Sequence, residues 1–178
     1  MGTMKRMPLA VACALAVMTL APVEAQVQEF VIHNFTFGTG WSPTPAGVTL
    51  APDGIYGTTE SGGTSDDGVV YKLDTAFHYT VLHNFTGPDG VGPNVGVIRD
   101  SAGNLYGTAY YGGRARYGVV YKLDSAGNYT VLYTFAGGAD GGQPYAGVIR
   151  TPAGNLIGTT QFGGSGNNGV VFALTGVQ

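Results

Sequence analysis

The chain has 178 residues, among them 31 glycines and 11 tyrosines, and its eight Lys/Arg against 11 Asp/Glu give a formal net charge of −3. Nucleic-acid binding rests on concentrated Lys/Arg that neutralise phosphates, and no such cluster is present, so we expect no nucleic-acid partner. Low charge with abundant glycine and tyrosine is typical of a compact β-protein whose polar surface is largely uncharged.

Residues 1–25 have the pattern of a secretory signal peptide. Lys5 and Arg6 precede an apolar run from Met7 to Leu20, and Val23-Glu24-Ala25 supplies small residues at the usual cleavage positions. A membrane anchor is the alternative, but the run is short for a bilayer span of roughly 20 residues. We therefore expect a secreted, extracellular or periplasmic protein with no membrane span after cleavage. Cleavage also removes Cys13, the one cysteine, so no disulfide is expected.

A motif of about fifty residues occurs three times in the remaining chain, which predicts a single repeat domain at 26–178. The units are approximately 36–85, 86–135 and 136–178, the last together with 27–35. Their shared segments are His33-Asn34-Phe35, His83-Asn84-Phe85 and Tyr133-Thr134-Phe135; Tyr56-Gly57-Thr58, Tyr106-Gly107-Thr108 and Ile157-Gly158-Thr159; and Gly68-Val69-Val70-Tyr71, Gly118-Val119-Val120-Tyr121 and Gly169-Val170-Val171-Phe172.

Each unit is predicted to form four short antiparallel strands, the composition of a β-propeller blade. In the second unit these strands are Val95–Asp100, Leu105–Tyr110, Gly118–Leu123 and Tyr129–Phe135. Glycine-containing turns separate them, since hairpin turns require positive φ angles. The first unit has Phe77 where the second has Gly127, which predicts a turn of changed shape. The fold class is therefore all-β, with β-propeller-like blades.

The order of the strands along the chain predicts how the last unit is completed. Glu29–Phe35 matches a fourth strand and Gly169–Leu174 matches a third strand, so we expect the N-terminal strand to complete the last unit. Propellers typically have four to eight blades, and three are too few to close. Either a homodimer completes a six-bladed ring, or the three sheets form a more open trefoil-like or prism-like arrangement.

These motifs resemble the GloVer tandem repeat of exported bacterial proteins, whose copies follow a pattern close to L-Y-G-T-T, a Gly-Gly pair and G-x-V-[FY]-x-L. The matching segments are Ile55–Thr59 with Gly68–Leu73, Leu105–Ala109 with Gly118–Leu123, and Leu156–Thr160 with Gly169–Leu174. The resemblance implies export and a repeat architecture, and it implies no established enzymatic activity. Family members often carry a C-terminal surface anchor, and no anchor pattern occurs up to Gln178.

No catalytic residue, metal ligand or cofactor is predicted. His33 and His83 are equivalent, but Tyr133 occupies the third position, which excludes a three-histidine metal site there. Asp89 and Asp140 invite a calcium or glycosidase hypothesis, yet Asp before Gly is also a common turn former. An exported hydrolase or lyase that uses His83 with Asp89 or Asp140 as acid and base stays as the enzymatic alternative.

The leading hypothesis is a non-enzymatic module whose loops bind carbohydrate or a cell-surface polymer. Aromatic faces stack on sugar rings, and six aromatics lie in or beside the loops. They are Trp41, Tyr110, Tyr111, Tyr117, Tyr145 and Phe162. The same aromatics packing between blades is the alternative for these residues, and a structural or self-assembling repeat protein is the alternative function. Arg114 and Arg116 have no counterparts in the other units and mark either a binding loop or a solvated one.

Overall fold

The structure is a computed structural model that describes residues 28–45 and 47–177. The predicted signal peptide at 1–25, with Cys13, lies outside the described residues, as does Ala46. The chain divides into two compact parts, Met1–Phe30 and Val31–Gln178. Of the first part only residues 28–30 are described, and they form neither helix nor strand. Among the described residues, no helix is long and apolar enough to cross a membrane.

The described residues of the second part form twelve β-strands and a single 3₁₀ turn at Phe37–Thr39. The strands of the first unit are β1 (Trp41–Pro43), β2 (Thr49–Ala51), β3 (Gly54–Ser61), β4 (Val69–Leu73) and β5 (Tyr79–Asn84). Those of the second are β6 (Ile98–Arg99), β7 (Leu105–Ala109), β8 (Val119–Leu123) and β9 (Tyr129–Thr134). The third unit has β10 (Ile149–Arg150), β11 (Leu156–Thr159) and β12 (Val171–Leu174).

Each unit is one antiparallel sheet, which confirms the predicted all-β fold with three repeat units. The sheet orders are β2-β3-β4-β5, β6-β7-β8-β9 and β10-β11-β12, and β1 adds to the far end of β3. The first two sheets share their register, including a bulge between Val70 and Tyr71 that recurs between Val120 and Tyr121. Sequence equivalence therefore corresponds to structural equivalence, strand by strand.

Packing between units uses the aromatic that follows each outer strand. Phe85, at the end of the first unit, meets the rings of Tyr121 and Tyr129 in the second at 5.3 and 5.8 Å between centroids. Phe135 contacts Phe172 of the third unit in the same way, at 5.0 Å. Phe85 and Phe135 are fully buried. The core therefore runs through the contacts between units as well as within them. Burial of these aromatic rings supplies a large share of its stabilising energy.

The N-terminal segment does not complete the third unit, contrary to the expectation from strand order. Residues 28–35 form no strand, and the third sheet contains three strands in the described part of the chain. The Phe35 ring shows where the segment lies instead, because it meets Tyr71 and Tyr79 of the first unit at 5.3 and 5.9 Å. Phe35 packs on the unit that follows it, as Phe85 does. The segment therefore lies at the first sheet, and the β12 edge has no strand partner among the described residues.

The turn at Phe77 keeps the shape of its counterpart, so the predicted change of shape is wrong. Phe77 has φ 63° and Gly127 has φ 90°, both in the left-handed region. The Phe77 N–H donates to Asp74 O at 2.9 Å, as the Gly127 N–H donates to Asp124 O at 3.0 Å. The hydrogen bonds of the hairpin impose the conformation, and Phe77 adopts it at a cost in backbone strain.

Candidate binding site

Three of the six loop aromatics form one cluster. The rings of Tyr110 and Tyr111 meet edge to face with 4.4 Å between centroids, and Tyr110 meets Tyr145 of the third unit at 5.7 Å. The Tyr110 hydroxyl donates to Gln161 Oε1 at 2.6 Å. Tyr111 and Tyr145 stay 47 % and 61 % exposed. The cluster is thus held in place from one side while two of its rings face solvent.

Two clefts meet at Tyr111. The larger, of about 920 Å³, lies between the Thr86–Pro88 loop and the loop that carries Arg114 and Arg116. The smaller, of about 360 Å³, is lined by Tyr110 and Tyr145 on one side and by residues of the first unit on the other, among them Glu60 and Asp66. Tyr111 and Val91 line both clefts. The two clefts are therefore neighbours, and Tyr111 and Val91 are shared between their walls.

Trp41 lies beside the smaller cleft. Its Nε1–H donates to Asp66 Oδ1 at 3.0 Å, and Asp66 lines that cleft. The same Asp66 oxygen accepts the Gly62 N–H at 2.8 Å. The indole is therefore anchored by a carboxylate that also holds the loop, and Trp41 remains 44 % exposed.

Tyr117 and Phe162 lie apart from this surface, since neither lines either cleft. A Cβ added at Gly137 would lie 2.6 Å from the Tyr117 ring, and one at Gly142 would lie 3.1 Å from it. Tyr117 thus covers the glycine loop of the third unit. Phe162 pairs through its backbone with Gly142, and its side chain is 40 % exposed. The structure therefore brings together Tyr110, Tyr111 and Tyr145, places Trp41 nearby, and leaves these two outside.

Arg116 occupies a loop position where the other units have a side chain that holds the loop. Asp66, Arg116 and Asn167 are equivalent and all have positive φ, at 60°, 64° and 54°. Asp66 Oδ1 and Asn167 Oδ1 accept the N–H of Gly62 and Gly163, whereas an arginine side chain has no acceptor. Asp and Asn also tolerate this conformation better than arginine. The second unit therefore lacks the side-chain hydrogen bond that holds this loop in the other two units, and it has a cation at the larger cleft instead.

Arg114 supplies a second positive charge at the same cleft. The equivalent residues in the other units are Thr64 and Ser165. Within the described residues, neither Arg114 nor Arg116 forms an ion pair, while Arg99 lies 3.6 Å from Asp53. Asp67 lies near Gly87 on the opposite side of the cleft, and burial, with the nearby charges of Asp89 and Asp66, raises the pKa of its carboxyl. Asp67 is not among the residues that line the cleft, whose charged lining residues are Arg114 and Arg116.

His83 and Asp89 are in contact, with 2.9 Å between Nε2 and Oδ2. The other Asp89 oxygen, Oδ1, accepts the Thr86 N–H at 2.8 Å and closes the loop. Burial lowers the pKa of His83, while the Asp89 carboxylate acts in the opposite direction. His83 also stacks on Tyr129, whose hydroxyl donates to Asp89 O at 2.7 Å. Both groups are thus held by hydrogen bonds and packing, and His83 lines neither cleft.

The junction between the second and third units repeats this arrangement with a tyrosine in place of the histidine. The Tyr133 hydroxyl donates to Asp140 Oδ2 at 3.0 Å, and the same oxygen accepts the Ala136 N–H at 2.8 Å. Asp140 is therefore hydrogen-bonded to Tyr133, and the carboxylate in contact with His83 is that of Asp89. At two of the three equivalent positions, Asp89 and Asp140, an aspartate therefore closes a loop and contacts the ring of the preceding strand. In the described part of the chain, no group of three or more His, Cys, Asp or Glu side chains is placed to hold a metal ion.

Several residues of the site carried no distinctive sequence pattern. Gln161 and Gln143 approach Tyr110 from the third unit, at 2.6 and 3.4 Å from its hydroxyl. Pro88 and Thr86 line the larger cleft from the loop between the first two units. Their places depend on how neighbouring units pack, and the one available indication is that each lies in a loop rich in glycine.

A family model described as the Gloeobacter/Verrucomicrobia repeat matches residues 16–177. No curated protein and no solved structure matches the chain. The matched region spans all three units and includes every repeated segment on which the GloVer resemblance rests. The chain therefore belongs to the Gloeobacter/Verrucomicrobia repeat family.

Proposed function

We propose that this protein is an exported, non-enzymatic repeat module that binds a polysaccharide, or a similar surface polymer, along the two clefts that meet at Tyr111. The observation that carries the proposal is the placement of Tyr111, which lines both clefts and stacks edge to face on Tyr110. Two neighbouring clefts with an exposed aromatic ring between them suit a chain of sugar rings, because each sugar ring has an apolar face that can lie on an aromatic ring.

The two arginines of the larger cleft favour a polymer that carries carboxylates, with the carboxylates bound in that cleft, since Glu60 and Asp66 line the smaller one. Arg114 and Arg116 form no ion pair among the described residues and both line the larger cleft. Guanidinium groups bind carboxylates through paired hydrogen bonds, which gives specificity as well as affinity. Uronic-acid polymers such as polygalacturonate and alginate have this chemistry. Neutral polymers such as cellulose would use the aromatic cluster alone.

Retention on solid polysaccharides tests the proposal. The purified protein is passed over cellulose, xylan, alginate gel and polygalacturonate gel, and released reducing sugar is assayed in the same tubes. We expect retention on the two acidic gels without sugar release. Tyr111→Ala should weaken retention about tenfold or more, as a lost stacking contact of roughly 1.4 kcal/mol implies. Phe77→Ala is the matched control, because Phe77 is 46 % exposed and lines neither cleft.

The arginines have matched replacements within the chain itself. Arg114→Thr and Arg116→Asn install the residues found at the equivalent positions of the first and third units. We expect retention on the acidic gels to fall in both variants. Retention should be unchanged in the control Arg150→Gln, since Arg150 lies over the Tyr106 ring and outside both clefts. Sugar release by the wild type would establish an enzyme instead. Retention that Tyr111→Ala leaves intact would remove the aromatic cluster from the proposal.

A second candidate function is self-association, in which a homodimer completes a six-bladed ring. The observation that favours it is exposure of apolar residues at the two ends of the array. Val171 of the third unit is 76 % exposed, whereas its equivalents Val70 and Val120 are fully buried. Measurement of the molar mass in solution by light scattering tests this candidate, and a monomer at all concentrations would overturn it.

A further inference from the structure

The segment Val31–Phe35 is placed like the end of an outer strand that belongs to a preceding unit. His33 stacks on Tyr79 at 4.0 Å between centroids, as His83 stacks on Tyr129 at 3.8 Å. Phe35 meets Tyr71 and Tyr79 as Phe85 meets Tyr121 and Tyr129. However, β5 also pairs along its length with β4, and Val31–Phe35 pairs with no strand among the described residues.

Residues around this segment are exposed where their equivalents are buried. Val48 is 56 % exposed, whereas Val97 and Val148 at the same position are 2 % and 3 % exposed. Phe35 is half-buried, whereas Phe85 and Phe135 are fully buried. In the second and third units, the equivalent apolar face is covered by the preceding unit. In the first unit this face is exposed.

The opposite end of the array shows the complementary deficit. β12 is an edge strand, because β11 pairs with one side of it and the other side has no partner in the described residues. Val171 on β12 is 76 % exposed, and Ile149 on β10, at the other edge of the same sheet, is 64 % exposed. In the first two units this side of the third strand is covered by β5 and β9. An open apolar edge of this kind promotes pairing with another chain.

We infer that Val31–Asn34 of one copy pairs with β12 of a second copy, so that two chains exchange their outer strands and close a six-bladed ring. This inference rests on the self-association candidate and names its contact. The β4–β5 register transfers directly: Val69 pairs with Asn84, Val70 with His83 and Tyr71 with Val81. Between copies, Val170 then pairs with Asn34, Val171 with His33, and Phe172 with Val31.

A side-chain hydrogen bond supports this register. Asn84 Oδ1 accepts the Thr64 N–H at 3.1 Å in the first unit. The equivalents of Thr64 and Asn84 across the proposed contact are Ser165 and Asn34, which retain a donor N–H and an amide acceptor. Asn34 is exposed within its own chain. The exchanged strand thus brings both the aromatic pattern and the amide that the third unit lacks.

The partner of β12 that the repeat geometry favours is a second copy of this chain. The contact is head to tail, with different surfaces on the two chains, so it forms rings when the rotation closes and filaments when it does not. Three units in each chain give six blades, within the usual range of four to eight for closed propellers. A ring of two chains uses both ends of both copies and leaves no open edge.

Solution mass and a designed crosslink test the exchange on the purified protein. We expect twice the chain mass for the wild type and the chain mass for Val171→Glu, because Val171 becomes buried only in the ring. Thr130→Glu on β9 is the control, since Thr130 is exposed and lies away from both ends, and it should remain a dimer. Val171→Glu should keep the circular dichroism spectrum of the wild type.

The double variant Asn34→Cys/Val170→Cys tests the register. Paired residues on adjacent strands lie within reach of a disulfide, so mild oxidation should give a covalent dimer with no change in mass under native conditions. A wild-type monomer overturns both the self-association candidate and the exchange. A dimer that Val171→Glu leaves intact, or that the cysteines fail to crosslink, overturns the exchange and leaves self-association through another surface. Polysaccharide retention is scored separately in the same variants.

Discussion

The imidazole of His83 lies parallel to the ring of Tyr129, with 3.8 Å between centroids and an interplanar angle of 6°. His83 belongs to the outer strand of the first unit and Tyr129 to that of the second, so this stack joins consecutive sheets. Asp89 completes the arrangement, because it lies 2.9 Å from His83 Nε2 and its carbonyl accepts the Tyr129 hydroxyl.

Replacing Thr39 with Asp should stabilise the fold. Thr39 is equivalent to Asp89, and its Oγ1 accepts the Thr36 N–H as Asp89 Oδ1 accepts that of Thr86. His33 Nε2, however, is buried without a hydrogen-bond partner. Thr39→Asp supplies a carboxylate oxygen for it, and we expect the free energy of unfolding to rise by about 1 kcal/mol. Urea denaturation measures the gain, which should vanish in a His33→Phe background; an equal gain there would contradict the pairing.

Stability should fall with acid because of His83. Burial lowers the pKa of His83 in the folded protein from its ordinary value of 6.5. As the pH falls through 6.5, the unfolded chain takes up a proton before the folded one does, so the free energy of unfolding decreases until the folded pKa is passed. His83→Tyr copies the Tyr133–Asp140 pair and should reduce this decrease between pH 7.5 and 5.5. An unchanged pH dependence, followed by urea denaturation at each pH, would show that His83 does not contribute.

Replacing Phe77 with Gly should stabilise the first hairpin. Phe77 has φ 63°, a conformation that costs a non-glycine residue about 1 kcal/mol or more. Phe77→Gly relieves this strain, and we expect a gain of roughly that size in thermal denaturation, reduced by the extra freedom of glycine in the unfolded chain. The reverse change, Gly127→Phe, should destabilise the protein. No atom lies within 4 Å of a Cβ at Gly127, so a loss of stability in Gly127→Phe would report backbone strain and not a steric clash of the Cβ.

Removing the hydroxyl of Tyr121 should also stabilise the protein. Tyr121 is fully buried, its hydroxyl has no hydrogen-bond partner, and burial raises its pKa. The equivalent residue in the third unit is Phe172. Tyr121→Phe removes an unsatisfied polar group, so we expect the free energy of unfolding to rise by about 1 kcal/mol. Tyr71→Phe in the first unit, where the side chain is 4 % exposed, is the control and should change stability less. A loss of stability in Tyr121→Phe would indicate that the hydroxyl is satisfied.

Much of the fold could be predicted from the repeat, because glycine and aromatic positions in it have local causes. Gly107, for example, lies under Tyr121, and a Cβ there would lie 2.4 Å from the tyrosine hydroxyl. The first strand of the second unit is shorter than predicted, at Ile98–Arg99 instead of Val95–Asp100. The carbonyls of Val95 and Val97 accept hydrogen bonds from Thr58 and Thr49 of the preceding unit. Contacts between units replace strand pairing there, and a single unit's sequence does not reveal them.

The site was predictable in its residue types and not in its arrangement. Tyr110 and Tyr111 are adjacent in sequence, but Tyr145 joins them because the third unit packs beside the second. Tyr117 belongs to the same predicted set, yet it covers Gly137. Whether an aromatic in a loop faces solvent or a neighbouring glycine depends on the turn that the neighbour adopts. That dependence spans 20 residues between Tyr117 and Gly137 and 35 between Tyr110 and Tyr145, and it has no local sequence pattern.

The packing of each outer-strand aromatic on the following sheet has a consequence for how such arrays change in evolution. Phe85 and Phe135 are buried by the next unit and not only by their own, so a single unit isolated from its neighbours exposes core surface. Loss or gain of one whole repeat preserves every junction, whereas a cut elsewhere leaves an aromatic without its neighbouring sheet. Copy number can therefore vary in whole repeats at little cost, and shorter and longer arrays can be made from one kind of junction.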